Sequence, residues 1–139
     1  MYFDSNIFIF AAIDKGKLGK KCREIMKLID KQKISAAASY IVIDEVLWVL
    51  KRKIGKDDAI KIAQTMLSMP VKWIRMDESI LLETLEIFER TTLDPRDSIH
   101  ISSMKNVGLT TIVSEDRDFD KVEGIERINA SECLGGSLP

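Results

Sequence analysis

Apolar and polar positions follow two different periods along this chain. Residues 18–31 carry apolar side chains at Cys22, Ile25, Met26, Leu28 and Ile29, with lysines on the opposite side. That is the spacing of an amphipathic helix. Residues 40–53 continue in the same period, with Ser39 as a candidate N-cap and Gly55 as a C-terminal signal. Asp57 reads as the cap of a helix that runs to Met69 and stops at Pro70. Asp77 reads as the cap of a helix through Glu89. Asp94 and Pro95 supply an N-cap and first helical residue for a helix to Asn106, closed by Gly108. Between these lie short apolar runs at residues 1–4, 34–38, 71–76, 109–113 and 126–128, which read as strands. Residues 116–122 read as one helical turn, and the closing GGSLP as a frayed end.

Strands separated by helices predict an α/β fold, a parallel sheet covered by helices on both faces. The 139 residues suit one domain, with a core over about residues 1–130 and no repeat, linker or low-complexity tract. Apolar residues at 45% and charged residues at 31% describe a soluble globular chain. No apolar run approaches the ~20 residues that span a bilayer. The first apolar run has no basic residues ahead of it and contains Asp4, which argues against a signal peptide. Cys22 and Cys133 form no CxxC pair and read as reduced thiols. The expectation is a cytoplasmic protein with no membrane partner.

Net charge is −1, so no bulk basic signature points to nucleic acid. The distribution is less even. Residues 15–33 hold eight basic and two acidic side chains, and Lys51, Arg52, Lys53 and Lys56 form a second basic cluster. Residues 115–126 hold six acids against Arg117 and Lys121. Solvated helix faces account for such runs, and so does a metal enzyme acting on a polyanion.

Four acids sit in apolar surroundings. Asp4 ends the first strand and Asp116 lies just past the strand that ends at Val113. In an open parallel sheet both project at the rim where ligands bind. Glu45 is flanked by Ile41, Ile43, Val46 and Leu47, with Asp44 beside it as the exposed acid of the pair. Asp97 lies in the first turn of its helix, where a carboxylate also favours the helix dipole. Four carboxylates in one cleft repel one another unless a cation holds them. Oxygen-only ligands suit Mg²⁺ or Mn²⁺, and no His or Cys recurs at zinc spacing. Such a site performs metal-assisted phosphodiester hydrolysis.

The ordered stretches FDSNIFI, DEVLWVL, DPRDSIHISSMKNVG and IVSEDRDFD carry the four acids at spacings of 41, 52 and 19 residues. This set resembles the PIN-domain family, especially its VapC-type toxins, over residues 2–128. The resemblance implies a three-layer α/β/α sandwich with a central parallel sheet and a Mg²⁺- or Mn²⁺-dependent endoribonuclease. It implies Asp4, Glu45, Asp97 and Asp116 as catalytic metal-binding acids, with Asp118 assisting. Ser5, Asn6 and Ser114 match the small polar residues that orient the acids. The implied partners are an RNA substrate, a small antitoxin for the toxin branch, and a second copy of the chain in a homodimer. Arg52, or basic residues of the 15–33 run, would hold phosphates. An RNA-processing nuclease without antitoxin, and a non-catalytic RNA-binding module with a structural ion, share the pattern. His100 reads as a hydrogen-bonded core residue, and Trp48 and Trp73 as core or dimer contacts. A dinucleotide fold is disfavoured because DSNIFI has no glycine.

Overall fold

Five short strands form one parallel sheet: β1 (Tyr2–Phe3), β2 (Ala36–Ser39), β3 (Val71–Ile74), β4 (Thr111–Val113) and β5 (Glu126–Ile128). Their spatial order is β3-β2-β1-β4-β5, with Tyr2 opposite Ala37 on one side and Ile112 on the other. The computed structural model describes residues 1–136. Among these the helices are α1 (Ser5–Ile13), α2 (Lys17–Asp30), α3 (Ile41–Lys53), α4 (Lys56–Ser68), α5 (Glu78–Arg90), α6 (Pro95–Asn106) and α7 (Ala130–Gly136). Arg117–Lys121 forms a single 3-10 turn.

The strand pleat sends alternate side chains to opposite faces and so builds two cores. Phe3, Ala36, Ala38 and Val113 pack with Ile7, Ile25, Val46, Met66 and Cys133, which come from α1, α2, α3, α4 and α7. Tyr2, Ala37, Ile74 and Ile112 pack with Ile80, Ile87, Ile101 and Met104 from α5 and α6. The architecture is the three-layer α/β/α sandwich expected.

Two helices were not legible in the apolar pattern. The first is α1. Its sequence, SNIFIFAAI, is apolar on all sides and so has no helical period to read. Ser5, Ile7 and Phe8 are buried and the rest of the helix is partly covered, because it packs against both α2 and α3. Gly19 permits the approach to α2: a Cβ there would lie 2.0 Å from the Asp14 carbonyl oxygen. The second is α7, which starts with a reciprocal cap. Asn129 N–H donates to Glu132 Oε2 at 2.7 Å, and Glu132 N–H donates to Asn129 Oδ1 at 2.9 Å. The tail expected to fray therefore begins inside α7, at Gly135 and Gly136, and its last three residues lie outside those described. A smaller difference is the start of α4. Gly55, at φ 92°, is its N-cap, and Asp57 sits in its first turn rather than capping it.

The chain runs outward from β1 to β2 and β3, then returns across the sheet to β4 on the other side of β1. The carboxyl ends of β1 and β4 thus flank the point where the strand order reverses, the place where open α/β sheets bind ligands.

Candidate metal centre

Asp4 follows β1 directly and caps α1, its Oδ1 accepting the Ser5 N–H at 2.7 Å. It is 5% exposed. Asn6 Nδ2 and Ser114 Oγ both donate to Oδ2, at 2.8 and 2.7 Å. The second Asn6 amide hydrogen goes to Ser114 Oγ at 3.0 Å, and the Asp116 N–H donates to the same oxygen at 3.0 Å. Ser114 thereby ties the loop after β4 to the acid after β1. Burial raises the Asp4 pKa, and the His100 and Ser114 contacts pull against that rise.

Glu45 reaches in from α3 and Asp97 from the first turn of α6. Asp97 has its carboxyl pushed up from 3.8 to about 6. Burial is the largest cause, Asp4, Asp116 and Glu45 add to it, and His100 opposes it. All the other three acids therefore act on Asp97 through space, although they come from β1, α3 and the loop after β4. Asp116 caps the 3-10 turn, its Oδ1 accepting the Asp118 N–H at 2.9 Å.

His100 enters the cluster one helical turn after Asp97. The ring is fully buried, with Nε2 2.6 Å from Glu45 Oε1 and 3.5 Å from Asp4 Oδ1. Nδ1 lies 2.7 Å from the Tyr2 hydroxyl, which also accepts the Ser39 N–H at 3.1 Å. Burial lowers the His100 pKa, but the Glu45 bond and the charges of Asp4 and Asp97 outweigh it, and the net shift is upward. Tyr2 and His100 carried a signal in sequence: Tyr2 lies two residues before Asp4, on the same strand face, and His100 three residues after Asp97, on the same helix face. Neither was assigned to the site, because a lone histidine on an apolar face is ordinarily a satisfied core residue. It is one here, and its partner is a site acid.

Ligand atoms of Asp4, Glu45 and His100 lie within 4.8 Å of one another. The repelling carboxylates and the raised Asp97 suit a hard divalent cation, which would offset their mutual repulsion. The other expected residues stand further out. Asp118 is exposed and pairs with Lys121 at 3.1 Å, so its carboxylate is directed to that amine. Arg52 is exposed on α3, its guanidinium 4.4 Å from the Trp48 ring centroid. Asp44, beside Glu45, faces out and pairs with Arg96 of α6 at 3.4 Å.

The profile of the PIN domain matches residues 1–125. The chain belongs to the PIN-domain family. Solved structures share the fold. VapC20 of Mycobacterium tuberculosis, described as a Sarcin-Ricin loop cleaving toxin, superposes with a TM-score of 0.72 at 16% identity, over 86% of this chain and 92% of that one. DNA-bound VapBC of Salmonella typhimurium gives 0.73 at 18%, over 93% and 96%. PAE2754 of Pyrobaculum aerophilum gives 0.69 at 20%, over 98% and 87%. No curated protein matches the sequence. In this PIN domain, ligand atoms of Asp4 and Glu45 meet at His100, and the charges of Asp4, Glu45 and Asp116 act on Asp97.

Proposed function

We propose that this PIN domain is a metal-dependent endoribonuclease, the toxin of a toxin–antitoxin pair, with Asp4, Glu45, Asp97 and Asp116 as its catalytic metal-binding acids. The observation that carries the reading is geometric: buried Asp4 and partly buried Glu45, from the end of β1 and from α3, bring carboxylate oxygens within 4.8 Å of each other and of His100. The charges felt by Asp97 support it. The toxin branch draws support from the relatives of the same fold, several of which are toxins or toxin–antitoxin complexes.

Asp4 serves as the fixed ligand, because Ser5, Asn6 and Ser114 leave its carboxylate no freedom to turn. Glu45 and Asp97 offer carboxylate oxygens from two helices on either side of it. These residues would hold a Mg²⁺ or Mn²⁺ ion, which would supply water activation and charge neutralisation at a phosphodiester. Asp116 is less buried than Asp4, and on this reading it would orient a water or a second ion. Arg52 and the basic stretch of α2 are the phosphate-holding candidates.

The copies pair, on this reading, through α5. Leu81, Leu82, Leu85 and Phe88 are exposed on that helix, at 46, 58, 63 and 47%. Such a stripe on a chain of near-zero net charge favours burial against an apolar partner.

Incubation of single-stranded RNA with the purified protein tests the enzyme. Cleavage is expected with Mg²⁺ or Mn²⁺, is expected to stop with chelator, and is expected to drop at least ~100-fold in Asp97→Asn. Full cleavage by that variant in a nuclease-free preparation would remove the assignment.

A further inference from the structure

His100 is grouped with Asp4 and Glu45 by distance alone, and its ring nitrogen could be taken for a cation ligand. The hydrogen bonds around it say otherwise. The Tyr2 side chain is fully buried, and its hydroxyl oxygen has two hydrogen-bond partners among the described residues, the Ser39 N–H and His100 Nδ1. The Ser39 N–H can only donate. The phenol hydrogen therefore goes to Nδ1, across 2.7 Å. Leaving it unmade would strand a buried O–H without an acceptor. With Nδ1 accepting, the neutral ring carries its hydrogen on Nε2. That hydrogen points to Glu45 Oε1 at 2.6 Å. A second proton on the ring would sit on Nδ1 and leave Nε2 as it is. In either charge state Nε2 has no lone pair for a metal ion.

We propose that His100, held by Tyr2, is a positioning residue: it donates to Glu45 Oε1 and aims the other carboxylate oxygen of Glu45 at the cation, without ligating the cation itself. The arrangement spans the fold. The Ser39 amide of β2 fixes the Tyr2 hydroxyl of β1, Tyr2 fixes the His100 ring of α6, and His100 fixes Glu45 of α3. Glu45 is 17% exposed on its side chain and has no other hydrogen-bond partner among the described residues, so His100 alone holds it. Partners of this kind behind metal ligands change metal affinity by about 10- to 100-fold.

The inference rests on the metal reading above, and two measurements separate the failure of one from the failure of the other. The first uses the unmodified protein saturated with Mg²⁺. His100 is the only histidine, so long-range ¹H–¹⁵N correlation reads a single imidazole. A protonated Nε2 is expected, and an unprotonated Nε2 in the Mg²⁺-bound protein would make His100 a ligand and overturn the proposal. The second is calorimetric titration with Mn²⁺. His100→Ala is expected to bind Mn²⁺ about 10- to 100-fold more weakly than the unmodified protein. His100→Gln, whose amide can still donate to Glu45, is expected to recover most of that loss. Equal affinity of His100→Ala and the unmodified protein overturns the proposal while leaving the metal reading intact. An unmodified protein that binds no Mn²⁺ overturns both. If His100→Ala does not fold, the imidazole spectrum decides.

Discussion

Asp97 carries the electrostatic cost of the centre. Its folded pKa of about 6 lies above the ordinary 3.8, so the folded protein binds a proton there that the unfolded chain has already lost. Metal-free stability from this group therefore falls as pH rises from about 4 through about 6. Asp97→Asn abolishes the titration. In metal-free protein the variant is expected to be more stable than the unmodified chain above pH 6. Solvent screens this partly exposed group, so the gain is about 1 kcal/mol, and it vanishes near pH 4. Chemical denaturation at pH 4 and pH 7.5 checks it, and an equal or lower stability of the variant at pH 7.5 would remove the repulsion from the account. The acids themselves were legible in sequence, because Asp4 and Glu45 interrupt apolar runs. Ser114 and Asn6 were legible only through the family resemblance. Ser114 bonds to Asp4 across 110 positions and accepts from Asn6 across 108, while Asn6 reaches Asp4 two residues away, and no periodicity reports such contacts. The partnership of His100 with Glu45, 55 positions away, was equally invisible.

Amphipathic period exposes elements that have one wet face, and it recovered α2 to α6 with boundaries within a few residues. It is silent where an element is apolar nearly all round, as α1 is, or short and glycine-ended, as α7 is. In both cases a capping residue marked the start: Asp4 for α1 and the Asn129–Glu132 pair for α7. Asp4 thus does two things at once, ending a strand and capping the helix behind the site. Period also hides what α5 does. Ile80, Thr84 and Ile87 form its buried face, while Leu81, Leu85 and Phe88 form a second apolar stripe toward solvent. If that stripe pairs two copies, Leu85→Asp is expected to convert a dimer into a monomer by light scattering, with the thermal midpoint of the fold little changed. A dimer that survives the substitution would move the contact off α5.

At the scale of the whole molecule, the sheet order turns distant residues into neighbours. The return from β3 to β4 puts β4 beside β1, so the loops after these two strands meet, and α3 and α6 come in from either side of them. Sequence order alone predicted a parallel sheet with two covered faces. The position of the switch point depends on which strands pair: Tyr2 lies between Ala37 and Ile112, and Phe3 opposite Val113. The central claim is that this topology builds one cation site from Asp4, Glu45, Asp97 and Asp116. Anomalous diffraction from crystals soaked in Mn²⁺ tests it most directly. The account predicts a manganese peak enclosed by those four carboxylates. Crystals soaked at a Mn²⁺ concentration that supports RNA cleavage, with no peak among them, would contradict it.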